Sequence, residues 1–263
     1  MKIGISYRPT LHREIIDKVV DMVDVIEVMP DIMSTDELIA LNKYSKEVSF
    51  GLHSLRTSLG SSEGVQTEND RYYYLTGKFF ETEYYSDHIA YSYLDNRYLT
   101  TVKNIEYNNS TLKVVINNLR EINKHYKSGE YLIENVVNHS KMLESTMSES
   151  DFFKRVCDDL PNIGVLFDLT NAIVSANHFN MNLSEYLVGF PFDKIKVIHV
   201  SGYENINNRY QDTHAVSINQ DTIEELKRII KLSNADCVII ERDFNPNDDD
   251  LIVELENIKA GIN

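Results

Sequence analysis

The sequence predicts an α/β fold, a (β/α)8 barrel in a single domain covering residues 1–263, and three observations predict it. Short β-branched runs alternate with longer amphipathic stretches along the whole chain. Eight such runs fall within 263 residues, the size of a barrel of eight strand-helix units. No Gly-, Ser- or Pro-rich linker interrupts the alternation, and parallel strands need helical crossovers of this kind. A doubly wound open sheet is the competing architecture. No G-x-G-x-x-G follows the first strand and no G-x-x-x-x-G-K-S/T occurs, so nothing points to a dinucleotide or P-loop site.

In chain order, Lys2 to Ser6 is the first expected strand and Leu11 to Met22 the helical pattern after it. Val25 to Val28 follows, then Thr35 to Lys46 as a helix with Ser34 or Thr35 before Asp36-Glu37 as N-cap. Val48 to His53 and Tyr84 to His88 are the third and fourth strands, and Asn109 to Tyr126 is the next helix. Tyr131 to Asn135 precedes a helix from Ser150 to Asp159, capped by Ser148 or Ser150. Gly164 to Asp168, Lys196 to Val200 and Cys237 to Glu241 complete the strands, with helical patterns at Thr222 to Leu232 and Asp249 to Lys259.

With 26 Lys+Arg against 41 Asp+Glu the formal charge is −15, which repels phosphate backbones and anionic membrane surfaces, so neither nucleic acid nor a membrane is an expected partner. The opening Met-Lys-Ile-Gly-Ile-Ser-Tyr-Arg lacks a long apolar segment, and no apolar run is long enough to span a bilayer; a soluble, cytoplasmic protein is expected. Cys157 and Cys237 are far apart and in no C-x-x-C pattern, which argues against a disulfide scaffold or a thiolate metal site and for two buried apolar groups.

Strand after strand ends on a side chain able to bind metal or move a proton. The second reaches Glu27, the third His53, the fourth Asp87-His88, the fifth Glu134-Asn135, the sixth Asp168, the seventh His199 and the eighth Glu241-Arg242-Asp243. In a parallel barrel these ends share one rim, where such enzymes build their active sites. Asp212 and His214 follow the seventh strand, and a spacing of two in extended backbone points both side chains the same way. Four histidines (His53, His88, His199, His214) and four carboxylates (Glu134, Asp168, Asp212, Glu241) at one mouth cost several kcal/mol of desolvation unless cations sit among them, so a metal site is expected. Imidazole and carboxylate without thiolate suit iron, manganese or zinc. Eight candidate ligands exceed one ion's usual set and carboxylates bridge, so two or three ions are expected.

Other polar residues read more simply. His12 and His125 fall on helical stretches as surface residues, and His139 in a loop or helix start. His178 follows the sixth strand closely enough to be a ligand or a neighbour of one. Arg8 and Glu27 read as an internal ion pair of the barrel mouth, and Arg242 with Asp243 as a structural pair. The tyrosines at 72–74, 84, 85, 91, 93 and 98 read as helix-sheet packing, with an aromatic wall for a peptide as the sharper alternative.

At these residues the sequence resembles, nearly end to end, the multinuclear non-haem iron-dependent oxidative enzymes that include the methanobactin-biosynthesis oxidase. The resemblance is carried by Gly4-Ile5-Ser6-Tyr7-Arg8, Gly51-Leu52-His53 with Ser58-Leu59-Gly60-Ser61, Ser86-Asp87-His88-Ile89-Ala90-Tyr91-Ser92 and Ile133-Glu134-Asn135. It continues through Phe167-Asp168-Leu169-Thr170-Asn171 with Val174-Ser175-Ala176, Ile198-His199-Val200-Ser201-Gly202, Asp212-Thr213-His214 and Glu241-Arg242-Asp243. The chain departs from the family at Thr170, where a second Asn is common, and at Tyr203, where a His is common; Ser175-Ala176-Asn177-His178 is one residue shorter than usual.

The resemblance implies a (β/α)8 barrel holding two or three irons, Fe2+ and Fe3+, that with dioxygen remodel a residue, often cysteine, of a ribosomally made precursor peptide. It implies His53, His88, Glu134, Asp168, His199, Asp212, His214 and Glu241 as iron ligands, with His88, Asp212 and His214 as the catalytic positions. Asn171, His178, Glu27, Arg8 and Asp243 are expected around those ligands. A separate peptide-recognition protein is an implied partner. The competing readings are a divalent-metal sugar isomerase or epimerase, a metal-dependent phosphodiesterase or abasic endonuclease, and an iron-binding protein without turnover.

Overall fold

Eight buried segments carry the architecture: β1 (Lys2–Ser6), β2 (Val25–Val28), β3 (Ser49–Ser54), β4 (Tyr85–His88), β7 (Tyr131–Glu134), β8 (Gly164–Asp168), β9 (Ile195–Val200) and β12 (Cys237–Ile240). They pair in parallel in that order, and β12 returns to β1 to close the barrel, as the alternation of short apolar runs and helices predicts. The computed structural model describes residues 1–9, 13, 15–126, 130–243 and 248–262. Every residue of β2, β7, β8 and β12 is buried, as strands covered on both faces must be.

Alternation along each strand separates two cores. Val25, Tyr84, Leu132, Leu166, Val197, Cys237 and Ile239 form a cluster of their own, apart from the larger one that joins the strands to the helices. Side chains two positions further along share the same face, and those are Glu27 after Val25, Glu134 after Leu132, Asp168 after Leu166, His199 after Val197 and Glu241 after Ile239. An apolar floor and a polar layer above it thus follow from period two alone.

The helices keep most of the expected places. Ser34 caps α2 (Thr35–Leu41) with Glu37 in a full capping box, and Asn42–Tyr44 continues it as a 3-10 turn, so the expected helix to Lys46 ends early. The pattern expected over Leu11 to Met22 forms only the short α1 (Ile16–Val19) and a 3-10 turn to Met22, with 10–12 and 14 outside the described residues. Helix α4 (Asn109–Ile122), α5 (Glu149–Asp159, capped by Ser148), α8 (Gln220–Leu232) and α9 (Asp248–Ile262) match the sequence reading closely.

Unexpected elements among the described residues are α3 (Thr67–Phe80), α6 (Leu169–His178), the short α7 (Leu183–Tyr186) and two hairpins. Helix α6 begins directly at the end of β8, with Asp168 as its N-cap, and seven of its ten residues are buried, so it shows no polar stripe to mark it as a helix. Hairpin β5 (Tyr91–Leu94) to β6 (Arg97–Lys103) turns on Asp95-Asn96, and β10 (Tyr203–Ile206) to β11 (Arg209–Asp212) on Asn207-Asn208, all four at positive φ. Such two-residue Asx turns between aromatic runs were readable as hairpins. Among the described residues no helix is long and apolar enough to cross a membrane. Cys157 and Cys237 are free and buried, and burial pushes the Cys157 thiol up to about 12, which leaves both as apolar filling.

Candidate metal centre

The strand ends bring the expected residues together over the apolar floor. Glu134 Oε2 lies 3.3 Å from Nε2 of both His53 and His88, and its Oε1 lies 3.4 Å from His199 Nδ1. Glu241 Oε2 lies 3.4 Å from the same His199 Nδ1 and 3.9 Å from His214 Nε2, which is itself 2.8 Å from Asp212 Oδ2. Two carboxylates therefore stand between three sets of imidazoles, in the run His53/His88, Glu134, His199, Glu241, His214/Asp212. Among the described residues three groups have ligand atoms within 4.8 Å of one another: His53, His88 and Glu134; Glu134, Asp168 and His199; Glu27, His199 and Glu241.

The donor atoms fit a metal ion. Glu134 Oε2 and His199 Nδ1, both facing the cluster, are buried without a hydrogen-bond partner, whereas buried polar atoms are nearly always satisfied. Nitrogen and oxygen donors without sulfur are the set that iron, manganese and zinc accept.

Neighbouring groups fix these side chains. Ser86 Oγ holds His53 Nδ1 at 2.9 Å, and Ser201 Oγ donates to Asp212 Oδ1 at 2.9 Å. Asn171 N–H donates to Asp168 Oδ1 at 2.7 Å, while Asn135 ties both backbone groups of Asp168 with its side-chain amide. At Thr170, where the family commonly has an Asn, the hydroxyl donates to the Ser201 carbonyl and accepts from the Ser201 N–H. Arg8 donates to Glu241 at 3.0 Å and to Asp243 at 2.5 Å, and Asp243 reaches His214 Nδ1 at 3.0 Å.

The electrostatics are those of carboxylates crowded out of water. Burial, with Asp212, Glu241 and Glu134 nearby, pushes Asp168 well above the carboxylate range. Against the same burial, Glu134 is held low by His88, His53 and His199, and Glu241 well below its usual range by His199 and His214. Burial works against a charged His88 too, yet the Glu134 and Asp87 carboxylates raise it to about 9.

A cavity of about 690 Å3 opens onto His53, His88, Glu134, Asp168, Asp212, His214 and Glu241. His199 and Glu27 lie beneath it, fully buried. Leu99, Thr100, Thr101 and Val102 form one wall: the β5–β6 register sets Tyr91 against Lys103 and Tyr93 against Tyr98, so these four bulge opposite Ser92 alone. These wall residues were missed along with their hairpin.

Several expectations need correction. No tyrosine lines this cavity among the described residues; its apolar wall is aliphatic, Tyr73, Tyr84 and Tyr85 pack in the core, and Tyr72 and Tyr98 are exposed. Arg8 forms ion pairs with Glu241 and Asp243, while Ser6 stands between it and Glu27, accepting from Arg8 and donating to the carboxylate. Arg242 turns away to Glu254, because successive residues at a strand end point to opposite faces, so it forms no pair with Asp243. His178 stays out of the cluster, its Nε2 on the Tyr210 carbonyl at 2.9 Å and its Nδ1 facing Arg209. His214 is not extended but left-handed, φ +50°, and this turn rather than strand alternation aims it at Asp212. His125 is a surface residue, His139 lines the cavity, and His12 lies outside the described residues.

The chain is similar to known proteins in sequence and in fold. The family model described as RiPP precursor modification enzyme MbnB/TglH/ChrH, RiPP being a ribosomally made and later modified peptide, matches residues 2–263. A UPF0276 protein of Caulobacter vibrioides is 23% identical over 261 residues, 98% of this chain and 92% of its own. One from Psychromonas ingrahamii is 26% identical over 210 residues, 78% of this chain and 73% of its own. Among solved structures, a putative xylose isomerase from Rhodospirillum rubrum superposes with TM-score 0.65 at 12% identity, covering 99% of both chains. Endonuclease IV from Thermus thermophilus superposes with TM-score 0.60 at 14% identity, covering 100% of this chain and 99% of its own. At such identities these two show the shared barrel alone.

Proposed function

Because the chain belongs to the RiPP precursor modification enzyme family MbnB/TglH/ChrH, we propose that it is an iron- and dioxygen-dependent oxidase that modifies a cysteine of a ribosomally made precursor peptide. The observation that carries this reading is the run of imidazoles joined by Glu134 and Glu241, with unpartnered donor atoms along it, which suits two or three ions sharing carboxylates. His53, His88, Glu134, Asp168, His199, Asp212, His214 and Glu241 would hold them. Bound there, iron supplies a Lewis-acidic position for the substrate thiolate and a redox-active position for dioxygen.

The chain's own residues do the rest. His88, His214 and Asp212 keep 13%, 14% and 17% of their side-chain surface exposed to the cavity, against 2% or less for His53, His199 and Glu134, so the peptide's reacting residue meets these three first. Arg8 offsets part of the carboxylate charge through Glu241 and Asp243. Leu99, Val102, Val136 and Val137 form the aliphatic side of the cavity that excludes water around the substrate. The reading includes a cytoplasmic location and a separate peptide-recognition protein.

The test is elemental analysis with Mössbauer spectroscopy of protein grown on isotopically labelled iron, followed by oxygen uptake with the candidate peptide. Two or three irons per chain, exchange-coupled, and uptake only with peptide support the oxidase. A single manganese or zinc with anaerobic turnover of a sugar replaces it with the isomerase reading.

A further inference from the structure

Glu27 sits in one of the three groups whose atoms are close enough to share an ion, together with His199 and Glu241. Its hydrogen bonds assign it another task. Glu27 is fully buried; its Oε1 receives Ser6 Oγ at 2.8 Å, and its Oε2 meets both Tyr84 O–H at 2.9 Å and His199 Nε2 at 2.9 Å.

The protons in this cluster can be placed by counting donors. Arg8 Nη1 lies 2.6 Å from Ser6 Oγ and can only donate, so the Ser6 hydroxyl spends its own proton on Glu27. Tyr84 points its hydroxyl at the same carboxylate. With Ser6 and Tyr84 both donating, Glu27 is an ionised acceptor, and the nitrogen of His199 that faces it carries a proton. The other nitrogen, Nδ1, has no hydrogen-bond partner and lies 3.4 Å from both Glu134 Oε1 and Glu241 Oε2. A bare lone pair between two carboxylates is repulsive, so Nδ1 carries a second proton there or meets a cation that takes the proton's place.

We propose that Glu27 is a positioning residue and not a metal ligand: it fixes His199 as the Nε2–H tautomer, so that Nδ1 meets the ion shared by Glu134 and Glu241. Imidazole ligands commonly donate their second N–H to a carboxylate, which sets ring orientation and raises basicity. Here the orienting carboxylate is itself held, because Tyr84 can reach it only across Gly51, where a Cβ would lie 2.2 Å from the Tyr84 ring. The inference rests on the metal-centre reading but needs neither dioxygen nor peptide.

The test loads the metal-free protein with Zn2+ alone, a diamagnetic probe, and reads the histidine nitrogens by NMR on histidine-labelled protein. His199 is expected to show a protonated Nε2 and a metal-bound Nδ1; a metal-bound Nε2 overturns the proposal. Glu27→Gln is expected to weaken Zn2+ binding 10–100-fold at one site, because its amide N–H can donate to Nε2 and drive the proton onto Nδ1. Tyr84→Phe leaves every candidate ligand in place. In it Glu27 loses a competing donor, and His199 is expected to keep a protonated Nε2 and a metal-bound Nδ1; a metal-bound Nε2 in this variant overturns the proposal. Since zinc binding is the readout, a failed search for oxygen uptake does not bear on the outcome, and a tautomer result does not depend on the oxidase.

Discussion

The ring of Tyr84 fills the space that a side chain on Gly51 would need: a Cβ there would lie 2.2 Å from Tyr84 Cζ and 2.4 Å from its hydroxyl. The missing side chain on β3 lets Tyr84 lie in the barrel floor while its O–H reaches Glu27 in the layer above. Gly51→Ala is therefore expected to cost about 1–3 kcal/mol, the usual penalty of overpacking, and to move the hydroxyl off Glu27. Denaturant unfolding and a metal titration on the same preparation check both effects together. A variant as stable as the parent shows that the ring is free to shift.

His88→Ala and Asp212→Ala are expected to remove peptide-dependent oxygen uptake by at least 100-fold while leaving the barrel folded. Both side chains face the cavity, so truncating them leaves a hydrated gap and not an apolar void. Circular dichroism confirms the fold, and elemental analysis shows whether an ion leaves with the side chain. Turnover retained by an ion-depleted variant rejects the proposed chemistry.

The barrel and the strand-borne part of the cluster were legible because both depend on period two. Once a run such as Tyr131–Glu134 is a parallel strand, Glu134 lies two positions beyond Leu132 and must share its inward face. What the sequence did not show depends on turns and on single contacts. His214 reaches Asp212 through a left-handed backbone, a conformation no side-chain pattern announces. Arg8 chooses Glu241 and Asp243 over Glu27 because Ser6 stands between them, a matter of distances across three strands. Helix α6 lacked the amphipathic stripe by which helices are found, being covered almost all round.

Stripping the metal is expected to lower the melting temperature, and adding it back to restore it. An ion that binds only the folded chain stabilises it by mass action, about 2.7 kcal/mol at 100 times its dissociation constant. The gain should be large here, because Glu134 Oε2 and His199 Nδ1 are buried with no hydrogen-bond partner in the protein. Thermal melts of chelated and reconstituted protein at fixed pH measure it. Glu134→Ala removes the carboxylate that joins His53 and His88 to His199, and its melt should respond little to added metal.

Glu149, at the start of α5 and away from the cluster, gives the fold a pH dependence of its own. Burial pushes its carboxyl up to about 7, although Tyr107, Tyr186 and Asn138 all donate to it. A carboxyl raised above its unfolded value of 4.5 favours the folded state in its protonated form. Its stabilising contribution is thus complete below about 4.5 and is lost as pH rises through about 7. Converting the shift at 1.36 kcal/mol per unit gives a loss of about 2–3 kcal/mol between pH 5 and 8. Glu149→Gln keeps the shape, an acceptor for one tyrosine and no charge, so the stability difference between variant and parent should move by that amount in the variant's favour as pH rises. Parallel unfolding curves of the two proteins across that range, both free of metal, isolate this group from the histidine cluster; a difference that stays flat shows that the three donors keep Glu149 ionised throughout.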